Sequence, residues 1–283
     1  MSTLTETAAD AESLLSRARW TVTDSWTIFW QEMTHLVRQP SAFAWQLGMP
    51  VVMVLMFVYV FGSAMDVFGE GAGASGVSYV DFAMPGMFAM TMAFGFTNTA
   101  WAVALSKEKG FIDRFRSMPM TPSAVVTGRG LADIIHATID LAVIAGIALL
   151  IGWRSGGSLA ATLSAFVLLL WLRLALIFVG VYLGLLVKNT EAAGNMFAIA
   201  FPFGFISSVF TPPELMPGWL GTIAAWNPVS STAGAIRELF EAPPVASGYW
   251  IENHAVAGAI IWPAIIMVIF IPLAVRKYQK LSS

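Results

Sequence analysis

The run Ala160–Leu186 is apolar almost from end to end and carries a single charged side chain, Arg173. As an α-helix rising 1.5 Å per residue, such a run crosses about 30 Å of hydrocarbon. Five further stretches share its character: Ser41–Phe61, Phe82–Leu105, Gly130–Ile151, Ala192–Phe210 and His254–Val275. Apolar residues make up 57% of the 283 and charged ones 11%, which is too apolar for a soluble chain of this length. The sequence therefore predicts an all-α integral membrane protein with six transmembrane helices. Prolines 50, 85, 202, 263 and 272 fall inside these runs and predict bends.

Basic residues orient the helices, because short cytoplasmic loops accumulate Lys and Arg. Twelve of the fifteen fall on one side: Arg17, Arg19, Arg38, Lys107, Lys109, Arg114, Arg116, Arg129, Lys188, Arg276, Lys277 and Lys280. The opposite side carries Arg154 and Arg237 against seven acids. Both termini are expected in the cytoplasm of a multi-pass cell-membrane protein.

On the basic side, between the second and third runs, lies SKEKGFIDRFRSMPMTP, the most charged segment of the chain. At 100° per residue, Phe111, Ile112, Phe115 and Met118 share one face, and Asp113, Arg114, Arg116 and Ser117 the other. Gly110 precedes this short helix, and Pro119 and Pro122 end it. The pattern fits a connector lying at the membrane surface, or a docking helix that passes a push from a soluble partner into the bundle.

Residues 1–19 read as a polar, acidic cytoplasmic tail, leaving 20–283 as a single transmembrane domain. Trp20–Arg38 is amphipathic and too polar to cross, so it is expected to lie in the interface. Thr211–Tyr249, on the outer side, holds two apolar stretches, near Gly218–Trp226 and Ser230–Leu239, each too short to cross. They are expected to dip into or lie on the outer leaflet, with Trp219, Trp226 and Trp250 at headgroup depth.

Several chemistries are excluded or unsupported. The chain has no phosphate-binding G-x-x-x-x-G-K-[ST] loop, no H-E-x-x-H and no G-x-S-x-G. It has no cysteine, and its three histidines, His35, His136 and His254, lie in different elements, so neither a metal site nor a catalytic set is expected. A net charge of −2 implies no nucleic-acid partner.

Charge inside the third and fourth runs needs partners. Asp133, His136 and Asp140 share one helical face. Asp140 lies about 15 Å and Arg173 roughly 20 Å from the cytoplasmic side, at 1.5 Å per residue. An unpaired charge there costs roughly 2.5–3.5 kcal/mol on the insertion scale. An Asp140–Arg173 pair is therefore expected, as a lock between antiparallel helices or as part of a relay or substrate contact.

The ordered set of features resembles the ABC-2 (type V) exporter permeases. GFIDRFRSMPMTPSAVVTGRGLAD is similar to the family's second-loop signature. The later half is similar too, through Gly184–Glu191, Pro202, Phe210-Thr-Pro-Pro, Met216-Pro-Gly-Trp, Asn227-Pro and Ala235-Ile-Arg-Glu. Within the family the chain resembles daunorubicin-resistance-type drug permeases. It departs at Thr211-Pro-Pro, where the family often has a phenylalanine–proline pair.

The resemblance implies a permease subunit of an ATP-driven exporter for a hydrophobic or amphipathic drug or lipid-like metabolite. It implies no cofactor in this chain, since ATP and Mg would bind a separate ABC ATP-binding subunit. The other implied partners are the lipid bilayer and a second permease chain, as homodimer or heterodimer. Coupling to the ATP-binding subunit would use Lys109, Phe111, Asp113, Arg114, Phe115 and Arg116. The spans matching the family's pathway-lining helices carry Met49, Met53, Met56, Phe57, Met87, Phe94, Asn98, Phe197, Phe201 and Phe205 as candidates for the substrate path. Each could instead face lipid or a neighbouring helix. A permease for a polysaccharide or lipid-linked glycan, or a membrane enzyme or scaffold without transport, would share much of this pattern.

Overall fold

The computed structural model describes residue 48 and residues 50–61, 79–110, 122–242 and 248–282. Outside these lie the expected tail, the amphipathic segment Trp20–Arg38, Met49 and the charged-helix residues Phe111, Asp113, Arg114, Phe115 and Arg116. No strand occurs among the described residues.

In chain order the helices are α1 (Pro50–Val60), α2 (Tyr79–Glu108), α3 (Pro122–Ile151), α4 (Leu159–Leu186), α5 (Thr190–Gly194) and α6 (Met196–Phe205). After a 3-10 turn at Pro213–Leu215 come α7 (Gly218–Ala225), α8 (Pro228–Leu239), α9 (Trp250–Asn253) and α10 (Ala255–Ser282). Ala83–Glu108, Gly130–Ile151, Leu159–Leu186 and Ala255–Lys280 are long and apolar enough to cross a membrane.

The fifth apolar run is not one helix. Asn189 caps α5 by accepting from the Ala192 N–H at 3.0 Å, and Asn195 forms a joint between α5 and α6. At Ile206 the backbone leaves the helix, with ψ at 65°. The side chains of α7–α8 take up the carbonyls this exposes. Asn227 donates to Phe203 O and Ile206 O, both at 2.8 Å. Arg237 donates to Ser208 O at 3.0 Å and to Val209 O at 2.6 Å, while Ser230 Oγ accepts from the Ser208 N–H. An unwound segment is tolerated at such a place because protein supplies the missing partners.

The most extensive helix–helix interface joins α2 and α4. Small residues permit it. A Cβ at Gly180 would stand 2.5 Å from Phe96 O, and one at Gly184 would stand 2.6 Å from Ala100 O. The helices run parallel there, since the contacts advance together along both chains. Close approach through glycines spaced four apart is a membrane solution, because lipid offers no hydrophobic drive and packing must supply the attraction.

Helix α8 lies deeper than its sequence implies. Val229–Ala233 and Ala235–Arg237 are buried, and the helix packs on α10, α2 and α4 rather than on the surface alone. Beside it, Phe88, Trp153, Phe166 and Phe240 form an edge-to-face cluster, with Trp153–Phe240 centroids 5.1 Å apart. By contrast Trp219, Trp226 and Trp250 are all exposed.

Candidate functional site

Phe197, Phe201 and Phe205 recur every four residues and so line one face of α6. Their rings form a continuous row, with centroids 5.8 Å apart for Phe197–Phe201 and 4.3 Å for Phe201–Phe205. Phe210, beyond the end of α6, extends the row at 5.1 Å from Phe205. Two other helices reach the row. Phe94 of α2 contacts Phe197 at 5.5 Å and stacks on Phe201 at 6.2 Å. Phe57 of α1 stacks on Phe210 at 4.3 Å and meets Phe205 at 6.4 Å.

The backbone is shaped to this row. Phe57 begins a π-helical turn, Phe57–Phe61, a distortion that often marks functional positions. On α6, Gly204 leaves room for the Phe94 ring, since a Cβ there would stand 2.5 Å from Phe94 Cζ and 3.2 Å from Met90 Cε. All six phenylalanines are half-buried, so each keeps part of its ring on the surface. The result is a strip of π-surface that can accept an apolar or planar molecule by dispersion and stacking.

The remaining path candidates divide. Met53 is half-buried and packs with the core around Phe57, whereas Met56 is exposed. Met87 is buried in the bundle core at 2% exposure, which places it in packing rather than on an open surface. Asn98, one turn from Phe94 on α2, is exposed. Sequence periodicity missed Phe210, because it lies past a helix end that only the fold creates, and Met90 and Gly204, whose roles depend on the α2–α6 contact.

The charged residues occupy separate places. Lys109 is exposed in the turn after α2. Arg173 is buried on α4, and its guanidinium is seated on Gly95 of α2, where any Cβ would clash with it. Asp133 is buried and Asp140 half-buried on α3, which packs on α4. Arg237, outside the long helices, is pushed down to about 10 by burial and pulled back by the Glu252 carboxylate, so it stays charged at neutral pH.

Four apolar helices of spanning length, with a broken helix bearing the aromatic row and the buried helix α8 packed among them, define a membrane-embedded, multi-pass protein. The chain belongs to the ABC-2 type transporter family, which matches residues 23–240. It is 28% identical over 255 residues to the "Daunorubicin resistance ABC transporter permease protein DrrB1" of Streptomyces coeruleorubidus, covering 90% of this chain and 85% of that one. It is 24% identical over 221 residues to the "Putative transport permease ycf38" of Porphyra purpurea, covering 74% of each.

Proposed function

We propose that this chain is the permease subunit of an ATP-driven exporter that moves a hydrophobic or amphipathic small molecule out of the cell. The observation that carries the reading is the row Phe197–Phe201–Phe205–Phe210, joined by Phe94 and Phe57 from two other helices, in a chain of this family. Its half-exposed rings suit a substrate with apolar or planar parts, and the name of the Streptomyces relative points to such a drug.

Six crossings complete this reading, with the broken α5–α6 segment as the fifth and both termini in the cytoplasm. Two permease chains act with two separate ATP-binding subunits, which carry the ATP and Mg. Lys109, Phe111, Asp113, Arg114, Phe115 and Arg116 form the coupling face. The Asp140–Arg173 pair holds α3 to α4 within the bundle.

The test is ATP-dependent daunorubicin uptake into inverted membrane vesicles containing this chain and its ATP-binding subunit. Arg114→Glu and Phe115→Ala should insert normally, release the subunit on purification and lose uptake. Normal assembly and transport by both variants would remove the coupling assignment. Transport of a lipid-linked glycan in place of the drug would overturn the substrate class.

A further inference from the structure

Two consecutive residues at the end of α2 grip both sides of the same turn. Lys107 Nζ donates to Val187 O at 2.9 Å, and Val187 is the residue that caps the end of α4. The Glu108 carboxylate accepts from the Thr190 N–H at 2.8 Å through Oε1 and from the Thr190 hydroxyl at 3.0 Å through Oε2. The signs match the helix ends they meet: a cation at the carbonyl end of α4, a carboxylate at the amide end of α5. The turn Val187–Asn189 is thus bracketed by α2.

What lies on each side gives the bracket its meaning. Immediately after it, α2 closes with the Gly110 N–H donating to Lys107 O at 3.1 Å and Gly110 in the left-handed region, φ 68°. Residue 111 follows, the first of the charged amphipathic segment. On the other side, α5 leads through the Asn195 joint into α6 and its row of phenylalanines. Through Glu108 and Thr190 the end of α2 is thus joined directly to the start of α5, which leads into that row.

We infer that Lys107 and Glu108 are coupling residues: a rigid joint that passes movement of the charged segment to α5–α6. The joint rests on the docking reading proposed above. The Glu108–Thr190 bonds are exposed, and exposed charged contacts add little to stability on their own, so the role is one of positioning and should be visible as coupling, not as folding.

The chain has no native cysteine, so a single thiol at Ile199, which is 68% exposed on α6, reports on that helix. The experiment measures maleimide labelling of Ile199→Cys in membranes containing the ATP-binding subunit, with and without ATP and vanadate. The joint predicts at least a threefold ATP-driven change in labelling rate. Adding Glu108→Ala or Lys107→Ala should abolish the change while subunit co-purification and ATP hydrolysis persist. Glu108→Gln, whose amide can still accept from the Thr190 N–H and donate to its hydroxyl, should keep it. The joint is overturned if Glu108→Ala leaves the change intact, or if Glu108→Gln fails as Ala does. A chain that recruits no ATP-binding subunit fails the docking reading and takes the joint with it. One that recruits the subunit and hydrolyses ATP, yet leaves Ile199 unchanged, fails the joint alone.

Discussion

Phe57 and Phe210 stack nearly parallel, with ring centroids 4.3 Å apart and planes 16° apart. One sits where α1 becomes a π-helix, the other where the chain has left α6. The contact therefore ties together two irregular pieces of backbone at one end of the aromatic row. Each such ring pair is worth about 0.5–1.5 kcal/mol beyond the area it buries.

Truncating the middle of the row should separate binding from folding. Phe205→Ala removes contacts to Phe57, Phe201 and Phe210 but leaves half-exposed space rather than a sealed cavity. Membrane expression should stay near the parent's, while drug stimulation of ATP hydrolysis falls roughly tenfold, the equivalent of about 1.4 kcal/mol. Unchanged drug response would place the row in packing alone.

The α2–α4 interface should be intolerant of a single methyl group. Gly180→Ala puts carbon against Phe96 O and Thr99 Cβ, and overpacking of this sort costs about 1–3 kcal/mol. Gly146→Ala on α3 meets nothing within 4 Å and should be neutral or gain up to about 1 kcal/mol of helix propensity. Unfolding temperatures in detergent compare the two. Equal shifts would show that the close approach is not tight in the membrane protein.

For the buried charges, Arg173→Ala should lower membrane expression, because a carboxylate left alone at depth costs roughly 2.5–3.5 kcal/mol on the insertion scale. Combining it with Asp140→Asn should recover much of the loss. A single variant as well expressed as the parent argues against the pair. Recovery of expression without recovery of transport would move the pair from scaffold to mechanism.

Accessibility should follow the burial found in the segment between α6 and α10. A cysteine at Ile236, which has no exposed surface, should resist a membrane-impermeant thiol reagent. Leu220 should react poorly, being half-buried on α7. A cysteine at Leu215, which is 76% exposed in the 3-10 turn, should react readily. Uniform fast labelling would contradict a packed α8.

Hydrocarbon-length runs made four long helices legible from residue order alone, because in lipid a backbone must bond to itself locally and length then decides crossing. The four-residue recurrence of Phe197, Phe201 and Phe205 likewise assigned them to one face before any packing was known. Other features depended on distant parts of the chain. The fifth run breaks at Asn195 and ends at Ile206, where Asn227, Ser230 and Arg237 serve the backbone it unwinds. Nothing in the apolar run itself encodes those partners. The same holds for α8: its apolar and hydroxyl residues suit a membrane surface or a protein interior equally well. Only the groove formed by α2, α4 and α10 decided for the interior. Local hydrogen bonding and helical period are properties of neighbouring residues; which carbonyl is freed, which glycine is crowded and which rings meet are properties of helices brought together.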